Sequence, residues 1–106
     1  MVTFDKKMYV DDIVKKKLEK FKKKVLNKKP LSSYYIITLP FNSDNCFDIY
    51  SGTERWLSEY KKDCDLRVVG LAADKDGIYS VLEDISKDII SMYGTVNKES
   101  VHKFFG

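Results

Sequence analysis

The chain has 106 residues, of which 43% are hydrophobic and 33% are charged. This length fits one domain, and the balance of apolar and charged residues excludes a disordered chain. No apolar run approaches the ~18 residues that a membrane-spanning helix needs, and residues 1–12 lack the apolar core of a signal peptide. We therefore expect one domain over residues 1–106, in a cytoplasmic protein.

The net charge of +3 conceals an uneven distribution along the chain. Residues 1–30 contain eleven lysines and four acidic residues, whereas residues 31–106 contain eight basic and twelve acidic residues. Such an asymmetry indicates either an anionic partner or a contact with the chain's own acidic surface. We therefore divide the predicted domain into a basic amphipathic N-terminal helix with its connection, 1–30, and a β-α-β-α-α body, 31–106.

The first predicted element is a helix from Asp11 to Asn27. Its apolar residues recur at steps of three and four positions, which is the spacing of one helix face. These residues are Val14, Leu18, Phe21 and Val25. Aspartates occupy the first turn and lysines the last turns, so both ends complement the helix dipole, and Pro30 follows the end of the helix.

Two segments predict buried strands, because they are rich in aromatic, β-branched or aliphatic residues and lack regular polar alternation. They span residues 34–39 and residues 66–72. A strand that is covered on both faces is typical of a parallel sheet, in which helices connect the strands. The two segments therefore predict a strand–helix–strand unit.

The segment between these strands is ambiguous. A helical stripe over residues 46–62 favours a helix, although a Ser-Gly pair interrupts it and the glycine costs about 1 kcal/mol relative to alanine. The alternative is a short strand over Cys46–Tyr50 followed by a helix from Thr53. Only the second interpretation adds a strand to the sheet.

Two helices are predicted after the second strand. Residues 75–93 carry a broad apolar face, with Asp74 placed to cap the N-terminus and Gly94 to end the helix. A short helix over residues 98–105 follows, with Asn97 as its cap. The order α-β-α-β-α-α predicts a small α/β domain with a minimal parallel sheet of two or three strands. Because two strands alone leave open edges, we expect dimerisation to complete the sheet.

The lysine-rich part of the first helix is the first candidate functional feature. Seven lysines surround its apolar stripe: Lys15, Lys16, Lys17, Lys20, Lys22, Lys23 and Lys24. They suit the phosphates of nucleic acid, an anionic membrane surface or an acidic protein. The structural alternative is a helix that docks by its stripe and leaves its lysines solvated. Arginine, the favoured base-reading residue, is absent from this helix, so any nucleic-acid binding is expected to be nonspecific.

The loop after the second strand is a candidate ligand site. Its sequence, VVGLAADKDG, leads from a strand into a helix N-terminus, where α/β folds bind anions. The candidate residues are Gly70, Asp74, Asp76 and Gly77. The segment contains neither GxGxxG nor GK[ST], and its aspartates would repel a phosphate. Helix capping and turn formation are the structural alternative.

The sequence predicts no metal site and no cofactor. Two cysteines, Cys46 and Cys64, and one histidine, His102, are fewer than the four ligands of a structural zinc site. No nucleophile motif accompanies the histidine, so a catalytic triad is not indicated. Four aspartates near the expected carboxyl ends of the strands suit either acid–base or Mg²⁺ chemistry, or simply helix starts. They are Asp44, Asp48, Asp74 and Asp76.

Aromatic residues are concentrated in the middle of the chain. Trp56 and Tyr60 lie four positions apart and would share one face of a helix. Aromatic side chains dominate both protein cores and interface hot spots. The pair therefore predicts a dimer or partner interface, with core packing as the alternative.

No motif with a catalytic mechanism is present, so an enzyme is the least favoured function. We predict a small cytosolic, noncatalytic interaction or accessory protein that acts as a homo-oligomer or with a protein partner. The first alternative is a nucleic-acid-associated accessory protein that uses the lysine-rich helix. The second alternative is a sensor of a small ligand, with its site at the Gly70–Gly77 loop.

Overall fold

The computed structural model describes residues 2–27, 33–40, 45–52 and 66–106. These residues form a mixed sheet of four strands, with two helices on each face. The strands are β1 (Val2–Val10), β2 (Tyr35–Thr38), β3 (Asp48–Ser51) and β4 (Leu66–Ala72). The helices are α1 (Asp12–Lys16), α2 (Leu18–Asn27), α3 (Lys75–Tyr93) and α4 (Lys98–Phe105).

Strand β4 lies inside the sheet, whose order is β1-β4-β2-β3. It pairs with β1 in parallel and with β2 in antiparallel orientation, while β3 pairs antiparallel with the other side of β2. The predicted range of β4 is confirmed, and all of its residues except Arg67 are buried. On one face, α1 and α2 pack around Val68 and Leu71. On the other face, α3 and α4 pack around Val69 and Ala72.

Strand β1 corrects the predicted element order, which had no strand before the first helix. It pairs with β4 from Val2 to Phe4 and again from Tyr9, and the residues between them shift the register. This irregular stretch begins with Asp5 and two lysines, so the alternation that reveals a strand is lost. The sheet therefore has four strands instead of two or three, and residues 1–30 supply one of them. Dimerisation stays a prediction.

The ambiguous segment before β4 also brings a correction. The favoured helix is wrong for its first part, which forms β3 and pairs antiparallel with Ile36 and Ile37 of β2. The aromatic and β-branched residues there suit a strand, and the Ser-Gly pair falls at its end. The sheet is consequently mixed and not parallel. Residues 53–65, which include the predicted interface residues Trp56 and Tyr60, lie outside the described residues.

The helix predicted over residues 11–27 is divided at Lys17 into α1 and α2. The N–H of Lys17 donates to the carbonyl of Val14, three residues back, at 2.9 Å. This shorter closure ends α1 after one turn, and α2 begins at the next residue. The apolar stripe nevertheless faces the sheet throughout. It comprises the buried Val14, Phe21 and Val25 and the half-buried Leu18.

The predicted ranges of α3 and α4 are confirmed together with their caps. The Asp74 carboxylate accepts the N–H of Gly77 at 2.7 Å, and Gly94 ends α3 in a left-handed conformation with a φ of 81°. Asn97 and Ser100 form a capping box at the start of α4. These local bonds satisfy N–H groups that would have no partner inside the helix.

Gly70 of β4 occupies a place with no room for a side chain. A Cβ atom there would stand 2.9 Å from Cδ1 of Ile37 and 3.1 Å from Cγ1 of Val81. We predict that Gly70→Ala lowers the free energy of unfolding by about 1–3 kcal/mol, because the sheet and α3 must move apart. Urea denaturation measures the loss, with Ser80→Ala on the exposed side of α3 as control. Equal stability of Gly70→Ala and the unchanged protein would contradict this packing.

Candidate functional site

The exposed lysines of α1, α2 and the residue joining them form what we call the lysine surface. Its members are Lys15, Lys16, Lys17, Lys20 and Lys23. They point away from the sheet because the apolar residues of the same helices are committed to the core. Val14 and Val25 are fully buried there, and Phe21 is 6% exposed. Five of the seven candidate lysines therefore face solvent.

The other two candidate lysines are half-buried and pack against aromatic rings. The Lys22 ammonium lies 5.4 Å from the ring centroid of Phe4 in β1, and that of Lys24 lies 4.6 Å from the ring of Phe21. Such contacts combine a cation–π attraction with burial of the aliphatic stem. Lys22 thus helps to attach α2 to β1, whereas the contact of Lys24 with Phe21 lies within α2. Both lysines also contribute charge at the margin.

The charge of the lysine surface is not neutralised by neighbouring side chains. Helices α1 and α2 contain two acidic residues, Asp12 and Glu19, both of which are exposed. Within the part of the chain that the structure describes, none of the five surface lysines forms an ion pair. Mobile counterions therefore balance these charges.

The candidate ligand loop is occupied by the chain's own carboxylates. Asp74 accepts the N–H of Gly77, which is one of the groups that a bound anion would use. Asp11 accepts the N–H of Ala73 at 3.0 Å and that of Val14 at 2.8 Å, so one carboxylate joins the start of α1 to this loop. These contacts favour the capping interpretation. The ligand site stays a prediction.

Other candidate residues of the loop are separated. Gly70 lies within β4 against Ile37 and Val81, while Asp76 is exposed in the first turn of α3. Gly77 is half-buried, and a Cβ atom there would clash with Oδ2 of Asp11. The loop therefore presents no common cradle of glycine backbone.

The aspartates predicted to gather at one edge of the sheet do not all do so. Asp48 begins β3 opposite Thr38, near the start of β4, whereas Asp74 follows the end of β4 at the opposite edge of the sheet. The two are separated because β2 runs antiparallel to both β3 and β4, so these two strands run in the same direction. Asp44 lies outside the described residues. Among the residues that are described, no three His, Cys, Asp or Glu side chains are grouped closely enough to hold a metal ion. His102 is exposed on α4, and Cys46 is a half-buried free thiol.

A cavity of about 430 Å³ beside β1 is lined by charged side chains that stabilise the fold. The Asp5 carboxylate is 4% exposed and accepts a hydrogen bond of 2.6 Å from Nε of Arg67. Arg67 also donates to the carbonyls of Phe105 and, at 3.1 Å, of Gly106. Lys7 donates to the carbonyl of Phe104 at 2.8 Å. Both cations thus satisfy the C-terminal end of α4 and oppose its dipole.

Sequence reasoning missed the long-range polar contacts of two side chains, those of Arg67 and Asp11. Arg67 had a visible signal, since it is the one charged residue in the apolar run LRVVGLA. Asp11 had a weaker signal, because its position before a helix predicts a cap but not the bond to Ala73. Neither residue belongs to the lysine surface.

Comparison with known proteins leaves the chain to be interpreted from its own geometry. No family model, curated protein or solved structure matches it. Within the described ranges, no helix has both the length and the apolar character needed to cross a membrane. The lysine surface is the candidate site, because its charged groups are exposed and have no structural partner.

The Asp5–Arg67 contact leads to a stability prediction. Arg67→Met should lower the free energy of unfolding by about 1–3 kcal/mol, since it removes the donor to Oδ2 of the buried Asp5 carboxylate and to the carbonyls of Phe105 and Gly106. The N–H of Lys7 still donates to Oδ1 of Asp5. Adding Asp5→Asn should recover part of the loss, and urea denaturation of the four combinations measures the coupling. Lys103→Met, which breaks an exposed pair with Glu99, is the matched control and should change nothing measurable. Strictly additive losses for Asp5 and Arg67 would disprove the coupling.

Tyr9 leads to a prediction about the stability of the protein at alkaline pH. Its hydroxyl donates to the Asp88 carboxylate. Burial, this hydrogen bond and the negative charges of Asp88 and Asp84 together raise the pKa of Tyr9. The folded protein therefore retains this proton at a pH where the unfolded chain, with an ordinary tyrosine pKa of about 10, loses it.

The contribution of the Tyr9 hydroxyl to the free energy of unfolding is accordingly complete below about pH 10 and is lost as the pH rises further. We predict that Tyr9→Phe costs about 1 kcal/mol at neutral pH and that its difference from the unchanged protein shrinks above about pH 10. Urea denaturation at both pH values measures this change. Asp88→Asn should reduce the alkaline loss in the same way, whereas a difference that grows with pH would contradict the assignment.

Proposed function

We propose that the protein is a noncatalytic accessory module that binds the phosphate backbone of nucleic acid, without sequence preference, through the lysine surface. One observation carries the proposal. Five exposed lysines without ion-pair partners are displayed by helices whose apolar residues are already buried against the sheet. This arrangement supports binding by charge alone.

Membrane binding has less support from this geometry. An amphipathic helix that lies on a membrane inserts its apolar face among the lipids. In α1 and α2 that face, with Val14, Phe21 and Val25, is committed to the core. The single exposed apolar residues Ile13 and Leu26 do not replace it, because scattered surface residues of this kind are ordinary.

The absence of sequence preference follows from the side chains present. Lysine is a compact point charge that neutralises phosphate but lacks the planar fork with which arginine reads guanine. Base stacking would need exposed aromatic rings, and Phe21, the aromatic residue of α2, is buried. Phosphate contacts alone give affinity that depends steeply on salt.

The test compares two variants with the same change of charge. Lys16, Lys20 and Lys23 are replaced by Gln in the first, and Lys75, Lys98 and Lys103, which lie on α3 and α4, in the second. Each protein is titrated into a labelled generic duplex and a single strand at low and moderate salt. We expect a dissociation constant of about 10⁻⁴ to 10⁻⁶ M for the unchanged protein.

The first variant should bind about tenfold more weakly or worse, and its salt slope should fall by about one for each phosphate contact removed. The second should stay close to the unchanged protein. Equal losses in both variants would indicate a response to net charge, and absence of binding at low salt would overturn the proposal. Deletion of residues 1–30 is unsuitable here, because it removes β1 from the sheet.

A further inference from the structure

The outer side of α3 carries apolar side chains that the fold leaves uncovered. Among the described residues, six large apolar side chains are exposed, and four of the six belong to α3. These four are Tyr79, Ile90, Met92 and Tyr93, with exposed fractions of 53%, 50%, 63% and 39%. A concentration of this kind on one helix indicates an interaction surface more than scattered surface residues do.

Most of these residues belong to one continuous stripe, which we call the α3 flank. It comprises Tyr79, Leu82, Ser86, Ile90 and Tyr93, which fall within about 80° of each other at 3.6 residues per turn. Leu82 is half-buried and packs against the core, so the stripe adjoins the buried face of α3. Ser86 is the small residue at its centre, where a second helix can approach to about 8 Å between axes.

We propose that a second copy of this chain docks on the α3 flank, with the two α3 helices antiparallel about a twofold axis at Ser86. Tyr79 then faces Tyr93 of the partner subunit, and Leu82 faces Ile90 of the partner subunit. The same patch is used on both copies, as closed twofold symmetry requires. A single helix from each copy makes a small interface, so the dimer forms reversibly with a dissociation constant of about 10⁻⁶ to 10⁻⁵ M.

The charges beside the flank select this occupant and this orientation. Glu83 and Lys87 are 66% and 69% exposed and form an ion pair of 3.0 Å within α3. In the antiparallel dimer, Lys87 of the partner subunit lies two residues, about 3 Å along the axis, from Glu83. The two pairs merge into an alternating group of four charges. In a parallel arrangement the twofold axis would place the charges of the two copies on opposite sides of the helix pair, where no cross-pair forms.

The location of the flank has a consequence that rests on the proposed function. Helix α3 covers one face of the sheet, and the lysine surface lies on the other. The flank lies about a quarter turn around α3 from its buried face, so the twofold axis places both sheets on the same side of the paired helices and leaves both lysine surfaces free on that side. A dimer of this form presents two lysine surfaces to one stretch of nucleic acid, whereas a monomer presents one.

The first test measures molar mass against concentration by sedimentation equilibrium, without nucleic acid. The unchanged protein should shift from monomer to dimer at about 1–10 micromolar, and Ile90→Glu should weaken association by about tenfold or more. Ile13→Glu is the matched control, because Ile13 is also 50% exposed but lies on α1. A monomer at every concentration, or equal loss in the two variants, would overturn the proposal.

The second test uses the charges and distinguishes this interface from any other. Glu83→Lys and Lys87→Glu each place like charges across the twofold axis, so each variant alone should dimerise about tenfold more weakly. An equimolar mixture of the two restores both cross-pairs and should form the heterodimer. Failure of the mixture to associate better than either variant overturns the antiparallel arrangement.

Both tests are independent of the lysine surface. A monomeric protein that still binds nucleic acid would reject the dimer and keep the proposed function. A dimer that binds no nucleic acid would keep the proposed interface and reject the proposed function. Circular dichroism and thermal denaturation of each variant show whether the fold is retained, which the exposure of Ile90, Glu83 and Lys87 favours.

Discussion

Burial of β4 on both faces is the constraint on which the rest of the structure depends. A strand enclosed in this way needs neighbours that pair its backbone on both sides and an apolar layer over each face. Strands β1 and β2 supply the pairing, and the helix pairs α1–α2 and α3–α4 supply the two layers. The N-terminal residues are therefore part of the domain and not an appendage, because β1 pairs with one side of β4.

Two charged side chains near the ends of β4 attach these layers to each other. Asp11, beside the end at Ala72, binds backbone N–H groups of both the α1 turn and the loop into α3. Arg67, at the opposite end, joins Asp5 of β1 to the last carbonyls of α4. Both side chains form hydrogen bonds with backbone groups that otherwise lack partners at helix ends or in loops. They stabilise the fold, and this is what separates them from the lysine surface.

The sequence is most informative where the signal is local. The apolar run of β4 and the caps Asp74, Gly94 and Asn97 predict their elements to the residue, since a cap needs only its neighbours. The stripe from Val14 to Val25 predicts the buried side of its helices, although nothing in the periodicity marks the break at Lys17. Strand β1 was not predicted, because its irregular stretch breaks the alternation of apolar and polar residues. For β3 a helix was favoured, because its residues also fit a helical spacing. Strand direction depends on pairing between distant residues, which no local pattern contains.

The same limit applies to the candidate site. Its lysines were predictable, but their roles were not, because the pattern of a basic amphipathic helix is identical whether its apolar face meets lipid, a partner or the chain's own sheet. Burial of that face gives the first two options less support, and the proposed function therefore relies on charge for recognition. It also divides the lysines, since Lys22 and Lys24 pack against rings while five others have no partner. The exposed apolar residues of α3 lie on the opposite face of the sheet, so contacts made by charge and contacts made by apolar surface are physically separate. The two proposals, self-association and binding of a polyanion, therefore use different surfaces and do not compete.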